Sequence, residues 1–315
     1  MRALLIVNPH ATSTTRLRRD VIVSALTSAV ELEVVETRYR GHATRLAGTA
    51  LPGGYGLVLT LGGDGTVNEA VNGIVGTSAR GGVPLPAGRL PALAALPGGN
   101  ANVFTRTLGL PQDPVDAAGQ ILQSLADGRE RSIGLGLAGD RYFTFNAGLG
   151  FDAEVVRAVE GRRAHGRPVS PALYLRMTLR QYYLITDRRH PPLMLELGGR
   201  PAAGPLFVGI VSNTAPWSYL GQRAVHTNPQ ADFNSGLDVF ALCKLRTLGT
   251  FLAGRQMLSG ADRPPHGRSI LTLHDQSELT LRSDRPAAFQ VDGEYVGERE
   301  AVRFRSVPHA LRVIA

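Results

Sequence analysis

The sequence predicts an α/β amino-terminal domain with a parallel sheet, followed by a β-rich carboxy-terminal domain, α+β overall. Three observations lead there. Short apolar runs alternate with helix-like segments over the first 127 residues, glycine-rich turns follow the apolar runs, and from about Gly128 the pattern changes to short strands bounded by Gly, Pro and Asp. The expected domains are 1–127 and 128–315, with a return of the last strand to the first domain left open.

Each element has its own justification. Ala3 to Asn8 reads as a buried strand, Thr15 to Ala29 as a helix, Glu31 to Thr37 as a second strand and His42 to Ala50 as a helix. Leu57 to Leu61 is the third strand, Thr66 to Val75 a helix, Gly76 to Pro91 a loop rich in Gly and Pro, and Ala92 to Leu96 the fourth strand. Helices Asn102 to Leu108 and Pro114 to Ala126 close the domain. Beyond it, strands are expected at Arg141 to Asn146, Leu193 to Leu197, Leu206 to Val211, Leu237 to Leu242, Ile270 to Leu273 and Leu279 to Arg282. Helices interrupt them at Ala153 to Arg162, Ala172 to Leu184 and Leu248 to Leu258.

Composition removes several function classes. The net charge of +8 is carried almost wholly by arginine, because Lys244 is the only lysine. A Walker A loop and a protein-kinase third strand both need a lysine in a set context, and Ala-Leu-Cys-Lys244-Leu-Arg supplies neither. The lone Cys243 cannot form an internal disulfide and reads as a small buried hydrophobe, which suits a reducing cytoplasm. The short apolar start, broken by Asn8-Pro9, is not expected to be a signal peptide, and no run reaches the ~18 uncharged residues of a membrane span. The basic surplus suits an acidic partner, either triphosphate or anionic lipid, or reflects scattered solvated arginines; no basic block interleaved with aromatics points to nucleic acid. Paired metal spacing of histidines and a Gly-x-Ser-x-Gly elbow are both missing.

The chemistry concentrates at strand ends. Gly62-Gly63-Asp64-Gly65-Thr66 lies between the third strand and a helix, where open α/β sheets bind ligands. Glycines let backbone N–H groups approach phosphate oxygens, and the helix directs its positive end at the same anion. Asp64, the one carboxylate there, suits holding Mg²⁺ or accepting the proton of an attacking hydroxyl. Thr66 and Glu69 also fit a capping box, which explains those two residues but not three glycines around an aspartate. A second glycine turn, Pro97-Gly98-Gly99-Asn100-Ala101-Asn102, has the same setting, so two neighbouring turns could clamp one polyphosphate. Asn8-Pro9 with Thr12, Ser13 and Thr14 ends the first strand, and Thr37 ends the second. Each is ordinary turn chemistry alone; their coincidence at four strand ends is the signal.

At these residues the chain resembles the diacylglycerol kinase catalytic family, which includes bacterial lipid kinases and sphingosine kinases. The resemblance runs through Val7-Asn-Pro, Thr37 with Gly41-His42-Ala43, Gly62 to Glu69, Leu96-Pro-Gly-Gly with Asn102 and Phe104, Asn146 to Asp152, and Val291-Asp292-Gly293-Glu294. Gly-Gly-Asp-Gly-Thr alone is shared with NAD kinases, whose fold is related; the ordered set is more specific. The resemblance implies a cytoplasmic, peripherally membrane-associated enzyme that uses ATP and Mg²⁺ to phosphorylate a lipid alcohol at an anionic membrane surface, with a homodimer left open. It implies nucleotide contacts at Asn8, Pro9, Thr37, Gly62, Gly63, Asp64, Gly65, Thr66, Asn68, Glu69, Gly98, Gly99, Asn100, Asp292 and Glu294. Glu294 would be the proton acceptor, with Asp64 as its partner or competitor and as the catalytic Mg²⁺ ligand.

Two departures stand out. Gly99-Asn100-Ala101-Asn102-Val103 replaces the family's common Gly-Thr-Ala-Asn-Asp, which bears on substrate identity. The structural Mg²⁺ site the resemblance carries to Asp232 has Ser235 in place of a second aspartate. Gly134-x-Gly136-x-x-Gly139 imitates a dinucleotide fingerprint, but a strand follows it, so its glycines belong to a hairpin. Pro171 to Leu184 could line a lipid entrance or lie on a membrane, with core packing the plainer alternative. The alternatives to a lipid kinase are an NAD-kinase-like enzyme on a soluble substrate and a non-catalytic lipid or nucleotide binder.

Overall fold

The computed structural model describes residues 1–11, 15–79, 86–164 and 171–315. Thr12, Ser13 and Thr14, expected as hydroxyl donors, lie outside the described residues, as does part of the loop expected from Gly76 to Pro91. The chain divides into two units, Met1–Leu135 with Pro308–Ala315, and Gly136–Val307.

The first unit alternates strand and helix. Its elements are β1 (Arg2–Val7), α1 (Arg16–Thr27), β2 (Glu31–Glu36), α2 (His42–Gly48), β3 (Leu57–Gly62), α3 (Asp64–Ala79), β4 (Ala92–Pro97), α4 (Val103–Thr107) and α5 (Pro114–Ala126), after which the chain leaves along β5 (Arg131–Ala138). Every residue of β3 and β4 is buried, as an apolar run covered on both faces requires. One face of the sheet, including Leu5, Leu59, Leu61 and Leu96, packs on Ile22 and Leu26 of α1 and Ala117 and Ile121 of α5. The opposite face is covered by α2 and α3, which pack against each other. Helix starts follow local chemistry: the Thr15 hydroxyl accepts from Arg18 N–H, and the Asp113 carboxylate from Val115 N–H, with Pro114 at the first helical position.

The strands run parallel in the order β2-β1-β3-β4, and Val313 near the chain end adds in parallel against Leu93. From β1 the chain crosses outward to β2, then back over β1 to β3. The sheet therefore has a switch point between the carboxyl ends of β1 and β3, where open α/β sheets present their ligand crevice.

The second unit contains β6 (Arg141–Phe143), β7 (Asn146–Gly150), α6 (Phe151–Ala164), α7 (Pro171–Arg180) ending in a π-helical turn at Gln181–Ile185, then β8 (Leu193–Leu197), β9 (Arg200–Leu206) and β10 (Val208–Ser212). It continues through β11 (Ser218–Leu220), β12 (Arg223–Val225), β13 (Leu237–Leu242), α8 (Thr247–Met257), β14 (Ile270–Gln276), β15 (Glu278–Val291) and β16 (Glu294–Val313), whose last residues belong to the first unit. The strands from β14 through β13, β10, β7 and β15 pair antiparallel. Alternation gives the sheet two faces. Val211, Val239 and Ala241 join Phe143, Leu149 and Phe304 in one core, whereas Val208, Ile210 and Phe240 meet Tyr182 of the π turn and Ala253 of α8 on the other.

The strand expected over Arg141 to Asn146 divides into β6 and β7; β5, β9, β11 and β12 have no counterpart among the expected strands, and β16 is the last strand, for which no bounds were expected. In the imitation fingerprint, Gly134 and Gly136 sit within β5 and only Gly139 makes the hairpin turn to β6.

Candidate active site

In the first unit, the two glycine turns leave the sheet side by side, since Gly62 pairs with Pro97 at the ends of β3 and β4. The Gly98 N–H donates to the Gly62 carbonyl at 2.8 Å. A Cβ on Gly98 would stand 2.8 Å from the Cα of Gly62, and one on Gly99 would stand 2.8 Å from the Cα of Gly63. No side chain tolerates such an approach, so backbone contact alone requires these glycines. The Gly99 N–H is bound by Asn102 Oδ1 at 2.8 Å, while Asn102 Nδ2 donates to the Gly99 carbonyl at 2.8 Å. Asn102 holds this clasp at φ 47°, a left-handed conformation that asparagine accepts. The N–H groups of Gly98 and Gly99 are thus engaged within the protein, and what the turn offers outward is its shape and the exposed Asn100.

Asp64 spans the two turns. Its carboxylate oxygens accept from Val103 N–H and Phe104 N–H, each at 3.1 Å, and so cap the amino-terminal end of α4. Asp64 is half-buried, and a carboxylate has about four acceptor sites.

The switch-point side is built from β1. Asn8 N–H donates to the Leu61 carbonyl at 2.9 Å, Asn8 Oδ1 accepts from His10 N–H at 3.0 Å, and Asn8 Nδ2 donates to Thr66 Oγ1 at 3.3 Å. Thr37 N–H donates to the Val7 carbonyl at 2.8 Å, which sets Thr37 beside the end of β1. Pro9 follows Asn8 on the surface. Asn8, Pro9, Thr37, Gly62 to Thr66 and Gly98 to Asn100 consequently share the carboxyl edge of the sheet.

Glu69 and Asn68 do something different. The capping box expected between Thr66 and Glu69 does not form, because α3 already begins at Asp64 and the Gly63 carbonyl accepts from Thr66 N–H at 2.9 Å and Val67 N–H at 3.2 Å. Glu69 instead accepts from Gly41 N–H at 2.7 Å and Ala43 N–H at 3.1 Å, so its carboxylate caps α2. Asn68 is wholly buried, with its Oδ1 accepting from Asn72 Nδ2 at 3.3 Å.

In the second unit, Asp292-Gly293 is the two-residue turn of the β15–β16 hairpin, with φ 47° and 75° and Val291 paired to Glu294. The Asp292 carboxylate is buried and saturated: Oδ2 accepts from Thr144 N–H at 2.8 Å and Thr144 Oγ1 at 2.9 Å, and Oδ1 from Phe145 N–H at 3.0 Å and Asn146 N–H at 3.2 Å. Glu294 is paired with Arg141 at 3.1 Å and about a quarter of its side chain is exposed. Asp64 and Glu294, the two carboxylates expected to share the chemistry, belong to different units. Asp232 Oδ1 accepts from Asn234 N–H at 2.8 Å and Nδ2 at 2.6 Å. Among the described residues, no group of three or more His, Cys, Asp and Glu side chains is spaced to hold a metal.

Sequence reading missed a buried network beside the hairpin. Gln290 Nε2 donates to Asn146 Oδ1 at 2.8 Å and to Asp152 Oδ2 at 2.9 Å, and its Oε1 accepts from Gly293 N–H at 2.9 Å. Burial pushes the Asp152 carboxyl up to about 6, against the smaller opposing pull of the Gln290 hydrogen bond. The available signal was a lone polar residue, Gln290, inside the apolar run Ala287 to Val291.

Residues 2–136 match the family described as "Diacylglycerol kinase catalytic domain". A protein of Staphylococcus aureus (strain JH9) named "Diacylglycerol kinase" is 24% identical over 306 residues, covering 95% of this chain and 88% of that protein. Proteins of the same name from strains Newman and NCTC 8325 match with the same figures. A solved structure titled as a diacylglycerol kinase from Bacillus anthracis str. Sterne aligns over 99% of this chain and 96% of its own, with a TM-score of 0.72 and 22% identity, a likeness of fold. Residues 2–136 thus resemble the diacylglycerol kinase catalytic domain, and the likeness to the curated relatives extends over nearly the whole chain.

Proposed function

We propose that this chain transfers the terminal phosphoryl group of ATP to the hydroxyl of diacylglycerol or a related lipid alcohol. The observation that carries the reading is the convergence of Asn8, Gly62 to Thr66 and the Gly98 turn at the carboxyl edge of the sheet, in the segment that matches the kinase domain. Phosphoryl transfer asks a protein mainly for positioning and for management of charge. The start of α3 contributes a positive helix end beside Gly62 and Gly63, and Asp64 a partly exposed carboxylate.

The residues fit a divalent cation held jointly with nucleotide phosphates. Mg²⁺ takes one or two protein carboxylates and completes its shell with phosphate and water, and Asp64 is a half-buried carboxylate at the start of α3 suited by type and place to such a role. Bound there, the ion would neutralise charge on the phosphate oxygens. In the transfer, the acceptor oxygen bonds to the terminal phosphorus, the bond to the bridging oxygen breaks and leaves ADP, and the hydroxyl proton passes to a carboxylate. Glu294 and Asp64 remain the two candidates for that carboxylate, Glu294 already held by Arg141. Asp292, with four donors on its carboxylate, is proposed to keep the hairpin in shape for Glu294 rather than to touch nucleotide itself.

Transfer of labelled phosphate from ATP to a panel of lipid alcohols, with soluble acceptors alongside, tests the assignment. Label in a lipid is expected; efficient labelling of a soluble acceptor with none in lipid would favour an NAD-kinase-like reaction, and no transfer at all a binding protein. Glu294→Gln is expected to slow the chemical step while nucleotide affinity stays within a few-fold. Collapse of affinity instead would make Glu294 a nucleotide or metal ligand and leave Asp64 as the base.

A further inference from the structure

The second unit carries an exposed apolar surface that its core does not explain. Of the 17 large hydrophobic residues exposed among the described residues, nine fall in two short stretches, Tyr174 to Ile185 and Leu248 to Leu252. On α7 and its π turn, Leu175, Leu179 and Tyr183 recur every four residues and form one outward stripe at 60%, 48% and 53% exposure, with Leu184 beside it at 78%. On α8, Leu248 and Phe251 stand 71% and 67% exposed. The inward sides of both elements are already used: Met177, Tyr182 and Ala253 are buried.

The two stripes are neighbours. Tyr182 Oη donates to the Leu245 carbonyl at 2.9 Å, just before α8 begins, and Tyr182, Leu245 and Ala253 share one core cluster. The charge around them has one sign. Between Pro171 and Arg189 and between Lys244 and Met257 the chain has Arg176, Arg180, Arg188, Arg189, Lys244, Arg246 and Arg255, all exposed, against the single acid Asp187. That acid is engaged by His190 Nδ1 at 2.6 Å and by Arg189 N–H at 3.0 Å. The Arg188 guanidinium lies 4.9 Å from the Tyr182 ring centroid and 5.7 Å from that of Tyr183, which ties cationic and aromatic groups into one patch.

Exposed leucine and aromatic side chains rimmed by cations match the interface of an anionic bilayer, where apolar groups enter the acyl boundary and guanidinium groups meet lipid phosphates. We propose that the outer faces of the α7–π turn and of α8 form one docking surface for an anionic lipid bilayer. Among the described residues no helix is long and apolar enough to cross a membrane, so the attachment is made from one side by these helices. The proposal gives the expected lipid acceptor a physical route to the protein, and in that sense rests on the kinase reading, but it stands or falls on binding alone.

Flotation of the full chain with vesicles of phosphatidylcholine, with and without phosphatidylglycerol, and without ATP or any lipid alcohol, tests it. The wild-type chain is expected to float with the anionic vesicles, to lose part of that binding at high salt as screening removes the cationic share, and to keep the apolar share. Leu184→Ser with Phe251→Ser, both on exposed positions, should lower partitioning at least tenfold with an unchanged thermal midpoint. Lys244→Glu with Arg246→Glu should remove the salt-sensitive share selectively. Vesicle binding equal to wild type in both double variants overturns the proposal. So does a wild-type chain that ignores anionic vesicles and is a dimer that Leu184→Ser with Phe251→Ser dissociates, since the face then belongs to a second copy. Failure of the kinase reading is separable: it shows as absent phosphoryl transfer to detergent-dispersed lipid, whatever the vesicles do.

Discussion

Two Asp-Gly pairs occupy comparable places in the sequence pattern and very different ones in the molecule. Asp64-Gly65 opens a helix at the carboxyl edge of a parallel sheet, and its half-buried carboxylate accepts two backbone N–H groups. Asp292-Gly293 turns a hairpin, and its carboxylate is 3% exposed and accepts four hydrogen bonds. A carboxylate held by four donors and almost wholly buried organises its surroundings; a half-buried one beside a helix end can also meet a ligand. The same two letters therefore mark a hairpin brace in one unit and a candidate reaction centre in the other.

The largest expected effect follows from that contrast. Asp292→Asn sets an amide N–H₂ against several donors and should cost about 3–5 kcal/mol in urea unfolding, comparable to breaking a buried ion pair. A loss under about 1 kcal/mol would mean that the hairpin does not depend on the four bonds, and the distinction between the two aspartates would weaken.

Asp152 sharpens the comparison as a buried carboxylate with a single side-chain donor, Gln290. Its pKa rises from 3.8 to about 6 on folding, so the folded state holds the additional proton between those values. The stability it contributes is complete below pH 3.8 and is lost as pH rises through about 6. A rise of that size corresponds to about 3 kcal/mol. Asp152→Asn should therefore be more stable than wild type at pH 7, by up to that amount, with the advantage shrinking as pH falls through this window. A difference that does not vary with pH would remove Asp152 as its source.

A smaller effect is expected at the glycine junction. Gly98→Ala places a Cβ 2.8 Å from the Gly62 Cα, which only backbone movement can relieve. The cost should be about 1–3 kcal/mol in thermal or urea unfolding. Gly119→Ala, on α5 where a Cβ meets nothing within 4 Å, serves as the neutral or stabilising control. Equal behaviour of the two would leave phosphate approach as the sole reason for glycine at the turn.

The first unit was legible because parallel strands buried on both faces read as uninterrupted apolar runs. Expected Ala92 to Leu96 is observed as Ala92–Pro97, and Pro114 to Ala126 is unchanged. The second unit was harder for physical reasons. β16 runs through Glu294–Val313 with its early residues half-buried and then exposed, so Glu298, Arg299 and Glu300 conceal it. β5 contains Gly134 and Gly136, which read as turn residues until pairing supplies their context. The candidate site was legible as a set of strand ends, but partner choice was not. That Glu69 caps α2 rather than its own helix, and that Asp64 caps α4, depends on contacts 26 to 40 residues apart, which local spacing does not encode.

The most direct test of phosphoryl transfer centred on Asp64 compares wild type and Asp64→Asn in transfer of terminal label from ATP to lipid alcohols, with thermal unfolding measured in parallel. The wild-type chain should label a lipid hydroxyl, and Asp64→Asn should lose about 10³-fold in turnover while weakening the α4 cap by only about 1 kcal/mol. Turnover in Asp64→Asn near that of wild type would reduce Asp64 to a helix cap and contradict the assignment.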